Sequence, residues 1–342
     1  MKKILKYTGL AILLFILIYG AVNFSVLRYG FRQLKGQLSI IFDTEDLETI
    51  RTLPNTPDSV KVKLELIGEI KKFAIDSLGI NPSKNYTTYY EQHGKPILWV
   101  ITASEPYRLE ARKWKFPIVG EFSYKGHFEK KYADEDITAL KKEGWDTRLG
   151  EVSAWSTLGY LKDPVLSSML NKDPGELASL IIHELTHGTL FVKNNLEFNE
   201  NLADFVGDYG ALKFLEFKYG KNSKEYIQYN ADKNYYQKFS NHIMHGTRKL
   251  DSLYATFDGK MQSKLKDSLK FHLINEIITS SDTLGRKRWS KKIPKLNNAY
   301  FVAFKTYQAK QNLFEEEFRT KFNSDFKSYM RYLKQKYPSI GL

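Results

Sequence analysis

Apolar residues recur along this chain with two different periods, and the change of period organises it. From Val60 to Leu78 the apolar positions Val62, Leu64, Leu66, Ile67, Ile70, Phe73 and Ala74 fall at helical spacing, and Gly79 closes the run. The same period starts at Glu45 and is broken by Leu53-Pro54-Asn55-Thr56-Pro57. Ile97-Leu98-Trp99-Val100-Ile101 is β-branched and aromatic, follows Gly94-Lys95-Pro96, and predicts a strand. Ile118–Tyr124 and Asp146–Trp155 predict two more strands, with a helix over Asp134–Glu143 between them. From Glu176 onward nearly everything has the helical period. With no internal repeat or low-complexity linker, the pattern predicts an α+β fold: a small sheet followed by a helical half, in one compact body.

The N-terminus follows a third pattern. Lys2, Lys3 and Lys6 precede a stretch without charge from Tyr7 to Leu27, centred on the wholly apolar Leu10–Ile18. At a rise of ~1.5 Å per residue, twenty helical residues cross a hydrocarbon layer ~30 Å thick. One transmembrane helix is therefore expected over 1–28, kept as a signal anchor rather than cleaved at the weak Gly20-Ala21 site. The short basic head suits export of the remainder, 29–342, to the periplasmic side of a bacterial inner membrane.

Composition narrows the possibilities. Hydrophobic residues at 42% and charged residues at 27% exclude a mainly disordered chain. The absence of cysteine excludes disulfides, thiolate metal sites and a cysteine nucleophile. The net charge of +13 is spread along helical stretches beside acidic residues; its one dense run is Arg286-Lys287-Arg288-Trp289 with Lys291, Lys292 and Lys295. No nucleic-acid motif accompanies that run, so anionic lipid or plain solubility is expected there rather than nucleic acid.

The candidate chemistry lies in Ile182-His183-Glu184-Leu185-Thr186-His187. Asp173 as N-cap, Pro174 at the first helical position and Glu176 as the capping-box acid predict a helix over about 174–193. Histidines four apart on one helix project from one face, about one turn (~5.4 Å) apart, so both rings can reach one ion. Such a pentapeptide also arises by chance, leaving two ordinary helical histidines. After a turn at Asn194-Asn195 a second helix, over about 199–219, presents Glu200 twelve residues beyond His187. Two imidazoles and one carboxylate leave a fourth tetrahedral position open, as a catalytic zinc site requires. The expected ligands of one Zn²⁺ are therefore His183, His187 and Glu200. Asp204, one turn further, would take the second N–H of a liganding histidine. Glu184 is placed to act as general base on a water. Tyr160, Tyr209 and Tyr307 are candidates for stabilising an oxyanion, and each has a structural alternative. His242 and His245, three apart, could begin a second metal site, but no carboxylate completes the set. His93, His127 and His272 are isolated.

These residues, with several other segments, resemble the bacterial predicted zinc aminopeptidase family, a group of gluzincin peptidases. The likeness is carried by Lys115-Phe116-Pro117-Ile118-Val119-Gly120, Tyr124-Lys125-Gly126-His127-Phe128, Ser153-Ala154-Trp155-Ser156-Thr157-Leu158-Gly159-Tyr160, Asp163-Pro164, the HELTH segment, Phe198-Asn199-Glu200 and Asn297-Asn298-Ala299. It runs from about Tyr29 to Tyr332. The resemblance implies a mainly helical gluzincin-like metallopeptidase domain, zinc held by His183, His187 and Glu200, and Glu184 as general base. Two departures stand out. Many relatives begin with a lipoprotein signal and its cysteine, which a transmembrane anchor would replace here; and His127 stands where tyrosine is usual.

The segment from Trp155 to Tyr160 could offer a strand edge to an extended peptide, with Gly159 permitting close approach, or could be a tight structural turn. Asn297 and Asn298 could bind a peptide backbone or cap a helix. The expected function is a membrane-anchored zinc aminopeptidase acting on peptide or protein substrates. A zinc endopeptidase and a non-catalytic, zinc-stabilised, membrane-tethered binding protein are the alternatives.

Overall fold

The computed structural model describes residues 7, 23–116, 120–152, 157, 162–285, 296–308 and 311–337. Apart from Tyr7, the candidate anchor up to residue 22 lies outside them, as do Gly159, Tyr160 and the basic run 286–295. Two compact units are distinguished, Met1–Thr44 and Glu45–Leu342. In the first, helix α1 (Phe24–Phe42) continues past position 28 and leaves Phe24, Phe31 and Phe42 exposed. Among the described residues no helix is long and apolar enough to cross a membrane.

The second unit has a mainly helical α+β architecture. Strand β1 (Glu45–Asp46) leads into α2 (Leu47–Thr52), capped by the Asp46 carboxylate, which accepts from the Glu48 N–H. Helix α3 (Asp58–Leu78) starts directly after Pro57 and ends at Gly79, whose φ of 72° is the left-handed turn that the sequence stop requires. Its buried stripe is Leu64, Leu66, Ile67, Ile70, Ala74 and Leu78.

Three small sheets follow. Strand β2 (Thr88–Tyr90) lies between β1, antiparallel, and β8 (Val165–Leu166), parallel. Strand β3 (Trp99–Ser104) is the centre of an antiparallel sheet flanked by β6 (Lys125–His127) and β7 (Asp146–Glu151). Strands β4 (Trp114–Phe116) and β5 (Gly120–Phe122) form a hairpin. Of the strand expected over Ile118–Tyr124, residues Gly120–Phe122 form β5, and residues 118–119 lie outside the described set. Gly120 sits at φ 94° and the chain bends at Ser123, so β5 pairs with β4 while the residues after the bend join β3 as β6. The strand expected over Asp146–Trp155 is described as far as Glu151; residues 153–156 lie outside the described set. Helix α4 (Lys130–Lys142) covers the β3 sheet, setting Ala133 and Leu140 against Ile101 and Ala103.

The helical half comprises α5 (Pro174–His187), α6 (Leu196–Tyr219), α7 (Lys224–Ala255), α8 (Ser263–Ser280), α9 (Asn298–Gln308), α10 (Gln311–Phe322) and α11 (Phe326–Lys336). Helix α5 starts where Asp173 and Pro174 predict, and the Glu176 carboxylate accepts from the Asp173 N–H at 3.4 Å. It stops at His187, six residues short of the expected end. Gly188 propagates a helix poorly. Beyond it the N–H groups of Thr189 and Leu190 both turn back to the Thr186 carbonyl, and the Thr189 hydroxyl donates to the Leu185 carbonyl.

Helices α5 and α6 pack closely, and Leu177, Ile181, Ile182 and Leu185 on one and Leu202, Ala203 and Val206 on the other are all essentially buried. Full burial of each such aliphatic side chain is worth about 1.5–3 kcal/mol. Gly207 sets the approach: a Cβ there would lie 2.8 Å from the Ser179 carbonyl oxygen and 3.2 Å from the His183 Cβ. Elsewhere on α6, Phe205 and Tyr209 pack among Phe318, Phe326 and Tyr329. Helices α7, α8 and α9 enclose a separate core around Phe239, Ile243, Ile277 and Phe301.

Candidate metal centre

Histidines 183 and 187 occupy the last turns of α5, and Glu200 the second turn of α6. One donor atom from each lies within 4.8 Å of the others. The two Nε2 atoms are 3.1 Å apart, and the Glu200 Oε2 is 3.6 Å from that of His183 and 3.8 Å from that of His187. A tetrahedral ion with bonds of about 2.0–2.1 Å needs donors about 3.3 Å apart, so the set fits a single cation. Among the described residues no other cluster of three His, Cys, Asp or Glu meets this spacing. His242 is engaged with the Ile277 carbonyl at 2.7 Å, and His245 is exposed.

The chemistry of the donors points the same way. The Asp204 carboxylate lies 2.8 Å from the His183 Nδ1, which fixes the ring so that Nε2 faces the other donors. Burial works against protonating His183, but Asp204 and Glu200 outweigh it and raise its pKa well above the usual imidazole range. His187 shows the opposite: burial, with the neighbouring His183, lowers it to about 4. Burial also opposes ionising Glu200, yet the two imidazoles beside it hold its carboxyl below the ordinary value. The His187 Nδ1 is buried and has no hydrogen-bond partner among the described residues. Two ring nitrogens and a carboxylate oxygen thus converge on one point.

Local structure holds Glu200 in place. The side chain of Asn199 makes two bonds to one residue: its Oδ1 accepts from the Val192 N–H at 2.8 Å and its Nδ2 donates to the Val192 carbonyl at 2.9 Å. This clamp fixes the connection between the helices, and the Asn195 side chain caps α6 by accepting from the Phe198 N–H. Asn199 was visible in the sequence only as the neighbour of Glu200. Behind Asp204, the half-buried Asp208 accepts from the Ser179 and Tyr229 hydroxyls, and desolvation raises its pKa, with Asp204 adding to the effect. Glu184, half-buried, follows His183 on α5.

Asn297, Asn298 and Tyr209 are engaged away from this cluster. Asn298 is fully buried: its Nδ2 donates to the Glu105 and Pro106 carbonyls, its Oδ1 accepts from the Tyr254 hydroxyl, and its N–H goes to Asp146. Asn297 donates to the Thr147 carbonyl, and its Oδ1 accepts from the Ala299 N–H at the start of α9, as a cap does. Both asparagines serve a joint between the β3 sheet and α9. Tyr209 belongs to the aromatic cluster of α6. The side chain of Tyr307, like Gly159 and Tyr160, lies outside the described set.

A cavity of about 670 Å³ opens beside the first turn of α6, between Asn194–Glu197 and the β4–β5 hairpin. Its wall carries Lys113, Lys115, Glu121 and Glu197, with Lys113 and Glu121 paired at 2.8 Å. Glu197 precedes Glu200 by three helical positions.

Comparison with known proteins gives one match. A family model described as "Putative aminopeptidase" matches residues 28–337. No curated protein matches the chain, and no solved structure does.

Proposed function

The chain belongs to the family described as "Putative aminopeptidase", and from that premise we propose that it is a zinc-dependent peptidase whose centre is the meeting point of α5 and α6. The observation that carries this reading is the convergence of the His183, His187 and Glu200 donors within 4.8 Å of one another. Two neutral imidazoles and a carboxylate are the donor set of catalytic zinc sites of the gluzincin kind. Zinc bound there would supply Lewis acidity, activating a water and polarising the scissile carbonyl.

The residues of the chain do the rest. Asp204 holds the His183 ring by its Nδ1–H. Asn199 fixes the turn that delivers Glu200. Glu184 takes the proton of the attacking water and passes it to the leaving amine. The cavity beside α6 receives the peptide, and Glu197 on its wall provides negative charge that a free α-ammonium group seeks, Glu121 being paired with Lys113. The uncharged stretch Tyr7–Leu27 tethers the domain to a membrane, with the peptidase on the extracytoplasmic side.

The test is purified protein assayed for metal and for cleavage of a peptide with a free or an N-acetylated terminus. One zinc per chain and preference for the free amine are expected. Glu184→Gln should keep the metal while lowering kcat by about 10²–10⁴-fold. Equal hydrolysis by Glu184→Gln and wild type would refute the assigned role, and cleavage of the blocked peptide alone would refute the exopeptidase reading.

A further inference from the structure

Helix α1 carries its apolar residues in one line and its charge in another. Phe24, Leu27, Phe31, Leu34, Leu38 and Phe42 are all exposed, Phe31 at 75% and Phe42 at 78%. At 3.6 residues per turn the six fall within an arc of about 80° and form one stripe along the whole helix. Ile40, the buried residue of α1, lies on the opposite side. Single exposed apolar residues are ordinary, but a continuous line of six large ones marks a contact surface.

The charge of this part of the chain has one sign. The first acidic residue is Asp43, and before it stand Lys2, Lys3, Lys6, Arg28, Arg32 and Lys35. Arg28 and Lys35 are exposed and border the stripe, about 20–40° beyond one edge, where long basic side chains lie along apolar surface with their heads in water. With three basic residues in its 19, α1 is not apolar enough to cross a bilayer. It opens on a turn at Asn23, whose carbonyl accepts from the Leu27 N–H at 2.9 Å.

We propose that α1 lies along the surface of an anionic bilayer, with its Phe and Leu stripe inward and Arg28 and Lys35 among the headgroups. A narrow apolar face beside a basic flank, on a helix that cannot span, is the pattern of helices that lie in the plane of the interface. A second copy of the chain is the other occupant such a stripe could take, since positions 24, 27, 31, 34 and 38 also have the spacing of a coiled-coil seam. Pairing two copies would set Arg28 and Lys35 beside that seam with no acid on the helix to answer them, whereas anionic headgroups answer both. This role rests on the membrane reading above, in which Tyr7–Leu27 is the tether, and is independent of the peptidase chemistry.

The chain has no cysteine, so one introduced cysteine is one labelling site. Nitroxide labels at Phe31→Cys, Leu34→Cys and Leu38→Cys, one per protein, report on the stripe. Labels at Ser25→Cys and Ser39→Cys, both exposed and off the stripe, bracket it along the helix, so distance from the tether cannot imitate the pattern. Full-length protein is reconstituted into vesicles of phosphatidylcholine alone or mixed with phosphatidylglycerol and recovered by flotation. Each label is then scored for its accessibility to oxygen, which partitions into lipid, against a nickel chelate, which stays in water. The stripe labels are expected to favour oxygen and the two serine positions nickel, more strongly with phosphatidylglycerol and less at high salt. Arg28→Gln with Lys35→Gln should lower the ratio of docked to free helix about 30-fold in phosphatidylglycerol vesicles, at about fivefold per charge. Stripe labels as open to nickel as the serine positions, on protein that floats, overturn the proposal and leave the tether standing. Stripe labels closed to both reagents, with dipolar broadening between copies, give the stripe to a second copy and overturn it. An equal preference for oxygen in the two kinds of vesicle overturns the assignment to anionic lipid. Protein that does not float with vesicles overturns the membrane reading and the proposal together.

Discussion

Two histidines among the described residues, His127 buried and His183 half-buried, each sit 2.8 Å from an aspartate, and only one of them belongs to a candidate metal centre. On β6, the His127 Nε2 meets the Asp136 carboxylate, which Lys125 reaches from the same strand at 2.6 Å. That group is closed: a carboxylate is met by a lysine ammonium and an imidazole. On α5, the His183 Nδ1 meets Asp204 in the same way, but its Nε2 faces another imidazole at 3.1 Å and a second carboxylate at 3.6 Å. An acid beside a histidine therefore says little about metal. What distinguishes the second group is three donor atoms from two helices that lie within 4.8 Å of one another.

The comparison breaks most visibly if the wrong histidine matters. His187→Ala removes a donor and should weaken zinc binding by more than the roughly 100-fold that outer partners are worth, whereas His127→Ala should leave zinc stoichiometry at wild-type level. Metal analysis after dialysis against a weak chelator reads both, and metal loss in His127→Ala would refute the distinction. A smaller effect separates the two aspartates. Asp204→Asn should reduce metal affinity by about 10–100-fold by loosening the His183 ring, and Asp136→Asn should not alter it. Competition with a chromogenic chelator measures each.

The smallest effect is a pH dependence confined to the closed group. Burial opposes ionisation of Asp136, but His127 and Lys125 outweigh it and hold its carboxyl at about 2, below the ordinary 3.8. A depressed carboxyl stabilises the folded state above its unfolded pKa and loses that contribution as pH falls through the folded value. The stability gap between wild type and Asp136→Asn should therefore be full above about pH 4 and vanish near pH 2, with an amplitude of at most about 2 kcal/mol, reduced by solvent screening since Asp136 is one-third exposed. Urea unfolding across that range checks it; a gap that widens on acidification would contradict the assignment.

The metal candidates were legible because their signals are local. Histidines four apart in a capped helix share a face wherever the helix goes, and the short return through Asn194-Asn195 leaves Glu200 little choice but to come back beside them. The end of α3 was equally plain from Gly79. What escaped the sequence depends on distant partners. Asn85 and Asp163 are 78 positions apart, and nothing near Tyr86 announces its left-handed backbone or buried hydroxyl. Asn298 reaches Asp146 across 152 positions, so a pair that resembled peptide-binding asparagines is spent on a sheet-to-helix joint. Within 118–124 the strand ends at Phe122 because the chain bends at Ser123: Gly120–Phe122 pairs with the adjacent β4, and Lys125–His127, beyond the bend, pairs with β3.

The touch of Gly207 against the Ser179 carbonyl gives the two ligand-bearing helices something like a machinist's gauge block. Their separation is set by the hard radii of a backbone oxygen and a missing methyl group, quantities that salt and acidity do not change. The distance across which His183 and Glu200 face each other is thus ruled by steric repulsion between their helices, a spacing the fold carries by itself.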